Sequence, residues 1–123
     1  MEINQITGRV LGCAFKVHSA LGPGLLESAY EECLHYELTN SGLYVERQKS
    51  MPLVYAGICM DIGYKLDLMV ESRIVIELKA VEALNDVHLA QILTYLKLSG
   101  CKIGLLLNFN VASLRNGIRR VIN

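Results

Sequence analysis

The stretch Val75–Ala80, with the sequence VIELKA, places an acid and a base two residues apart inside an apolar run. Successive side chains of a β-strand alternate between its two faces, so Glu77 and Lys79 share one face, opposite Leu78. Charged side chains are costly to bury without partners. Two interpretations follow: an edge strand with a solvated face, or a buried strand that carries a reactive site.

A second acid, Asp67, lies in the preceding strand-like segment, residues 64–70. If the two segments pair as a hairpin, Asp67 comes close to Glu77 across the ladder. Two adjacent carboxylates resist ionising together unless a cation lies between them, and a hard divalent ion with oxygen ligands meets that need. Lys79 adds a positive charge, which can orient an attacking water or stabilise charge on a phosphate in the transition state. These residue types favour metal-dependent chemistry on a phosphate.

The elements that must position these residues follow from the spacing of the apolar side chains. Helical periodicity predicts helices at 3–21, 25–39 and, between capping residues, 85–100. Alternating or heavily apolar segments predict strands at 44–57, 61–70, 72–80 and 102–109, the last of them central, with a short turn at Glu71-Ser72. For residues 111–123 the sequence does not decide between a short helix and a closing strand. The order α-α-β-β-β-α-β predicts a mixed α/β fold with helices packed on a small sheet.

Composition excludes several classes of protein. The 123 residues are enough for one domain, and 52% apolar with 20% charged residues argue against disorder. Twelve basic side chains balance twelve acidic ones, so no global field attracts nucleic acid or a membrane. Residues 61–123 hold eight basic and six acidic side chains, and the surplus includes Arg115, Arg119 and Arg120. Nucleic-acid binding would have to use a local basic patch, although these three arginines also suit a solvated face.

The cysteines, the first residues and the length of the apolar runs indicate in which cellular compartment the protein is expected. The four cysteines form no C-x-x-C pair and no cluster with zinc-ligand spacing, which favours free thiols in a reducing cytoplasm. Glu2 and Asn4 do not suit a basic leader, and the apolar runs are too short to span a bilayer. We expect a cytoplasmic protein with no membrane partner.

Several motifs resemble one family. Asp67, followed after nine intervening residues by Glu77-Leu78-Lys79, resembles the D…(D/E)-x-K signature of the PD-(D/E)XK nuclease superfamily. Residues 63–67 (GYKLD) and 91–95 (QILTY) resemble the G-x-x-x-D and Q-x-x-x-Y motifs of its RecB-like branch. Residues 24–30 (GLLESAY) and 104–110 (GLLLNFN) resemble the small family labelled GxxExxxY, although the spacing here is G-x-x-E-x-x-Y. The resemblance runs from about Val17 to Asn110.

The resemblance implies a restriction-endonuclease-like core in a single domain, residues 1–123, with Mg²⁺ or Mn²⁺ as cofactor. The implied metal ligands are Asp67, Glu77, Glu27 and the backbone carbonyl of Leu78. The implied catalytic residues are Lys79, Glu77, Asp67 and Gln91. The residues expected at the substrate are Gln91, Tyr95 and, in second rank, His88.

Each of these residues also has a structural interpretation. Glu27 falls in the first turn of a helix, where an acid stabilises the helix dipole by roughly 0.3–1 kcal/mol. Tyr30 is expected in the core, and His88 also suits an ordinary surface or partly buried histidine. His18 precedes the glycine-rich turn at 21–24 (LGPG), which lacks the Lys-Ser/Thr of a phosphate loop. The sequence assigns His18 no role.

Three functions remain open at this stage. The first is a metal-dependent nuclease that acts on nucleic acid, DNA in the first place. The second is a binding or regulatory module that keeps the fold without turnover, which the small size and neutral charge favour. The third is chemistry on another phosphate-bearing ligand, since a fold does not determine a function. A homodimer would help a small catalytic core to grip DNA, by presenting two sites to two strands.

Overall fold

The computed structural model describes residues 1–123. The three α-helices are α1 (Ile3–Leu21), α2 (Glu27–Asn40) and α3 (Asp86–Ser99). The seven strands are β1 (Val45–Met51), β2 (Val54–Tyr55), β3 (Ile58–Cys59), β4 (Tyr64–Val70), β5 (Ile74–Lys79), β6 (Ile103–Asn108) and β7 (Ile118–Ile122). A short 3₁₀ helix, Leu114–Gly117, precedes β7.

One mixed sheet of five strands organises the molecule, in the order β1-β4-β5-β6-β7. Strand β5 is antiparallel to β4 and parallel to β6, and α3 forms the crossover that a parallel pair needs. Strand β5 is therefore the central strand, and every residue from Ile74 to Leu78 is buried. The edge-strand interpretation of VIELKA is wrong, because the strand has neighbours on both sides. The predicted mixed α/β class with helices on a small sheet is confirmed.

The two faces of the sheet belong to two apolar clusters. Helices α1 and α2 cover one face, where the sheet contributes Leu68, Val70, Ile74, Ile76, Leu78, Leu105 and Leu107. Helix α3 covers the other face, where the sheet contributes Leu66, Met69, Val75, Leu106 and Val121. Glu77 lies between Ile76 and Leu78 in β5, so its side chain and that of Lys79 point to the α3 face.

Two predicted elements differ from the structure. The single strand expected at 44–57 ends at Met51, and a separate hairpin, β2–β3, follows. Pro52 has no N–H to continue the ladder, and Ala56 (φ 52°) with Gly57 (φ 76°) forms a tight two-residue turn. The C-terminal tail contains both of the elements left open, the 3₁₀ helix and β7. The strand expected to be central, β6, is instead an interior strand next to the central strand β5, because β4 and β1 lie beyond β5 on the other side.

The helix ends and the β4–β5 turn agree with the sequence. Helix α1 has the predicted bounds, and α3 begins after the N-cap Asn85 and ends at Gly100 in the left-handed conformation. The turn between β4 and β5 is at Glu71 and Ser72, both with positive φ. All four cysteines are free thiols. None of the helices combines the length and the apolar character needed to cross a bilayer.

The side chains of β4 change faces at Asp67. Leu66 packs with the α3 cluster, whereas Leu68, two residues later, packs with the α1–α2 cluster. Residues i and i+2 of a regular strand share a face, so the alternation is broken between them. Gln48 and Asp67 are also unpaired in the otherwise continuous ladder between β1 and β4, and Gln48 has a left-handed backbone with φ of 50°. This irregularity is where the acidic residues of the candidate site lie.

Candidate active site

Strands β4 and β5 separate at the level of two carboxylates. The last ladder pair is Leu68 with Ile76. Beyond it, the Asp67 backbone N–H donates to Glu77 Oε1 at 3.0 Å, and the Leu78 backbone N–H donates to Asp67 Oδ2 at 2.9 Å. Side-chain oxygens thus take the place of backbone carbonyls, and both carboxyl groups are held inside the opening between the strands.

The Leu78 carbonyl points to the same opening. The N–H and C=O of one strand residue lie on the same edge of the strand, and successive residues alternate between the two edges. The Lys79 carbonyl accepts a hydrogen bond from the Phe109 N–H, on the β6 side. The Leu78 carbonyl therefore faces β4, as its N–H does, and lies next to the carboxylate pair.

The two carboxylates have little compensating charge. Glu77 is only 4% exposed, and burial, followed by the negative charge of Asp67, raises its pKa to about 9. Burial also raises the pKa of Asp67. Neither carboxylate is in an ion pair with a lysine or arginine; the three ion pairs of the chain involve Glu37, Glu31 and Glu46. A proton or a bound cation is the remaining way to stabilise this pair.

Lys79 is held by a residue of α3. Its Nζ donates to Gln91 Oε1 at 3.1 Å, and Tyr95 follows Gln91 by one helical turn on the same side of α3. Burial and the negative charge of Glu77 raise the pKa of the Tyr95 hydroxyl. Helix α3 can approach the sheet this closely because Gly104 has no side chain. A Cβ at this position would lie only 2.9 Å from the Ile92 side chain. The structure therefore brings Lys79, Gln91 and Tyr95 together beside Glu77.

Glu27 is the first residue of α2 and approaches the cluster from the other side of the sheet. Burial and the negative charge of Asp67 raise the pKa of Glu27, and Lys79 opposes this shift. Glu27 thus shares its electrostatic environment with Asp67 and Lys79. However, no three His, Cys, Asp or Glu side chains of the chain converge as a metal-binding group. The role of Glu27 as a metal ligand stays a prediction.

The comparison with known families agrees with this geometry. A family model described as the PD-(D/E)XK nuclease superfamily matches residues 4–121. The chain belongs to the PD-(D/E)XK nuclease superfamily. No curated protein and no solved structure shows a significant similarity to it. Family membership and the five-stranded mixed sheet together show the restriction-endonuclease-like fold and indicate a nuclease-type function.

In this PD-(D/E)XK protein, the packing of β1 against β4 explains why the first position of the G-x-x-x-D motif, residue 63, is a glycine. A Cβ on Gly63 would collide with the backbone carbonyl oxygen of Met51 on the neighbouring strand. Met51 pairs with Tyr64, at the start of β4, three residues before Asp67. The glycine therefore permits the close approach of β1 and β4 that leads into the irregular level of the sheet.

The structure gives His88, His18 and Tyr30 structural contacts. His88 Nδ1 accepts from the Asn85 N–H at 3.2 Å and completes the capping box of α3, so its expected place at the substrate stays a prediction. His18 Nε2 lies 2.8 Å from the carbonyl oxygen of Val111, in the loop after β6. Tyr30 is fully buried and stacks on Phe109, which confirms its predicted place in the core.

Sequence reasoning missed three residues next to Asp67. Glu31 is buried, with Arg47 Nε 2.8 Å from its Oε2 and Gln48 Nε2 2.7 Å from its Oε1. Gln48 Nε2 also lies 3.4 Å from Asp67 Oδ1. One signal was available, because Glu31 follows Glu27 by four residues and hence shares its helix face. No pattern in β1 marked Arg47 or Gln48, since their contacts are formed across the sheet.

Proposed function

We propose that this chain is a metal-dependent nuclease that hydrolyses phosphodiester bonds, with DNA as the first substrate to examine. The observation that carries the proposal is the opening between β4 and β5, where the Asp67 and Glu77 carboxylates and the Leu78 carbonyl meet and where the positive charge of Lys79 acts on Glu77. Acidic oxygen donors next to a positioned cation form the set needed to hydrolyse a phosphodiester.

The donor set is suited to a hard divalent cation such as Mg²⁺ or Mn²⁺. Such ions bind through one or two carboxylates and keep positions for water and substrate phosphate. Asp67 and Glu77 would hold the ion, and the Leu78 carbonyl is the third oxygen on this edge. When bound, the ion polarises the phosphate and lowers the pKa of a bound water.

Charge balance supports the same assignment. The neighbourhood of the site contains four acids, Glu27, Glu31, Asp67 and Glu77, and two bases, Arg47 and Lys79. With all six ionised the net charge is −4 + 2 = −2, which one divalent ion would neutralise. Burial, followed by the negative charge of Asp67, raises the pKa of Glu77.

Lys79 would act on the substrate. One of its three N–H donors binds Gln91 Oε1, so two remain for a water or a phosphate oxygen. A lysine ammonium placed where negative charge grows stabilises the transition state more than the ground state. Gln91 would fix the direction of the ammonium, and Tyr95 would border the substrate.

Finer assignments belong to the same proposal. The motifs GLLESAY and GLLLNFN support membership of the GxxExxxY branch. Action in the cytoplasm and assembly as a homodimer are further predictions. Light scattering or sedimentation of the purified protein, with and without DNA, would test the homodimer.

The test is a cleavage assay of purified wild type beside Asp67→Asn. The substrates are single-stranded, double-stranded and branched DNA and RNA, each with Mg²⁺, Mn²⁺ or a chelator. We expect metal-dependent cleavage of at least one substrate by wild type and none by Asp67→Asn. Equal cleavage by both proteins would indicate a contaminant and contradict the proposed site. Metal binding without cleavage of any substrate would instead support the non-catalytic module.

A further inference from the structure

One strand residue outside the proposed metal ligands has a strained backbone. Four non-glycine residues have positive φ: Gln48, Ala56, Glu71 and Ser72. Ala56, Glu71 and Ser72 lie in hairpin turns, where such angles are required. Gln48 lies inside β1, where left-handed geometry costs a side-chain-bearing residue free energy and serves no turn. The surrounding contacts must therefore hold it there.

The strained backbone directs the Gln48 amide between two carboxylates. Its Nε2 lies 2.7 Å from Glu31 Oε1 and 3.4 Å from Asp67 Oδ1. An amide NH₂ has two donors, and ionised carboxylates only accept, so one N–H serves each acid. Residues six apart in a regular strand share a face, but Val45 and Met51 of β1 pack on opposite clusters. The side-chain alternation of β1 is therefore broken between them, in the part of the strand that contains Gln48.

The other end of this chain of contacts is fixed to α2. Glu31 is buried, and its second oxygen, Oε2, accepts from Arg47 Nε at 2.8 Å. Arg47 precedes Gln48 in β1 and pairs with Leu68 of β4, the residue after Asp67. The contacts run from Arg47 to Glu31, then to Gln48 and Asp67, and connect α2, β1 and β4. Asp67 is thus held from two sides, by the Leu78 N–H on Oδ2 and by Gln48 on Oδ1.

We infer that Gln48 is a positioning residue for Asp67, and that Glu31 and Arg47 hold it in its strained conformation. Gln48 orients the Asp67 carboxylate toward the opening between β4 and β5 and keeps it apart from the buried Glu31 charge. The inference rests on the proposed function for its catalytic consequence, but the orientation of Asp67 is a property of the protein without metal. Contacts of this kind around metal ligands change metal affinity or activity by about 10–100-fold when removed.

The experiment compares Gln48→Gly, Gln48→Glu and the control Ser72→Gly. Gln48→Gly removes the amide and relieves the backbone strain, whereas Ser72→Gly relieves the same kind of strain (φ 53°) in the β4–β5 turn. Gln48→Glu keeps the length of the side chain and replaces its donor by a third acid. The measurements are the thermal midpoint, the Mn²⁺ affinity by calorimetry, and hydrogen exchange of the Leu78 amide by NMR in metal-free protein.

We expect Ser72→Gly to melt at or above the wild-type temperature, whereas in Gln48→Gly the relief of strain is opposed by the loss of the donor to the buried Glu31 carboxylate. In Gln48→Gly the Leu78 amide should exchange about tenfold faster, because its acceptor, Asp67 Oδ2, is no longer held, and Mn²⁺ affinity should fall about 10–100-fold. In Ser72→Gly the exchange rate of the Leu78 amide and the Mn²⁺ affinity should both stay at wild-type values. Gln48→Glu should lose Mn²⁺ affinity by at least as much as Gln48→Gly. Where wild type cleaves DNA, the loss in Gln48→Gly should appear mainly in kcat, with KM little changed.

The outcomes separate this inference from the proposed function. If Gln48→Gly matches Ser72→Gly in Leu78 exchange and Mn²⁺ affinity, Gln48 does not position Asp67 and the inference is overturned. If Leu78 exchange rises as expected but wild type neither binds Mn²⁺ nor cleaves nucleic acid, the positioning role stands and the proposed function fails. If Gln48→Gly does not fold, the test uses Gln48→Glu. A Leu78 amide that exchanges at the wild-type rate in Gln48→Glu would then overturn the inference.

Discussion

Asp67 and Glu77 are joined by reciprocal contacts between opposite strands. The Asp67 N–H binds the Glu77 carboxylate, and the Asp67 carboxylate binds the N–H of Leu78, the next residue after Glu77. Each acid thus closes the gap that the other strand leaves open, but the two carboxylates repel each other when both are ionised. The hydrogen bonds of the pair stabilise the geometry of the opening, ionisation of the second acid destabilises it, and substitutions can separate the two effects.

The stability of the metal-free protein should depend on pH through Glu77. The pKa of Glu77 is about 9 in the folded protein against an ordinary value of 4.5, so between these values the folded state holds a proton that the unfolded chain has lost. The free energy of unfolding should therefore fall as the pH rises through this window. Glu77→Gln keeps an oxygen for the Asp67 N–H and cannot ionise, so it should stabilise the metal-free protein at pH 8 by roughly 1–3 kcal/mol.

Urea denaturation at pH 5 and pH 8, in a chelator, measures this effect. The difference between Glu77→Gln and wild type should be small at pH 5 and larger at pH 8. Glu71→Gln is the control, since Glu71 lies in the β4–β5 turn on the same sheet and is only half-buried. A Glu77→Gln protein with the same pH slope as wild type would contradict a buried, proton-holding Glu77.

Lys79→Ala should abolish cleavage while leaving Mn²⁺ affinity nearly unchanged. A lysine ammonium is no ligand for Mn²⁺, and its charge matters when negative charge builds on the phosphate. We expect kcat to fall by about 100-fold or more, comparable to the loss of one transition-state donor. Calorimetry and the cleavage assay measure the two quantities in one preparation. Cleavage that persists in Lys79→Ala would point to a different site.

Gln91→Ala tests whether the direction of the Lys79 ammonium matters. The Lys79 Nζ would lose its only side-chain acceptor at 3.1 Å and could take other rotamers. We expect kcat to fall by about 10–100-fold, with the melting temperature close to wild type because Gln91 is only half-buried. Lys97→Gln, on the exposed face of the same helix, should leave kcat unchanged. Equal activities of Gln91→Ala and Lys97→Gln would remove Gln91 from the site.

Gly63→Ala tests the close approach of β1 and β4. The added Cβ would collide with the Met51 carbonyl oxygen, a backbone atom that cannot move without its strand, and we expect a loss of roughly 1–3 kcal/mol of stability. Gly12→Ala is the matched control, because nothing lies within 4 Å of that Cβ in the middle of α1. It should stabilise the protein by about 0.5–1 kcal/mol. Thermal or urea unfolding measures both variants, and a neutral Gly63→Ala would show that the strands are free to separate.

Local patterns were enough for the helices and for the main strands. The bounds of α1, the caps of α3 at Asn85 and Gly100, and the turn at Glu71-Ser72 depend on residues close in sequence, and all were predictable. The β2–β3 hairpin was missed because its turn, Ala56-Gly57, lacks the Asn-Gly or Asp-Gly pair that usually marks one. The tail stayed open because β7 gains its partner only when β6 is in place.

For the candidate site, the sequence by itself determined which residue types are available: Asp67, Glu77 and Lys79 on neighbouring strands, with Gln91 on the next helix. Alternation within β5 also determined that Glu77 and Lys79 share a face. Only the tertiary structure decided that β5 is central, because burial on both edges depends on β4 and β6. It also decided that Gln48 reaches both Asp67 and Glu31. Those contacts join residues 19 and 17 positions apart through a break in strand alternation, which no local periodicity can predict.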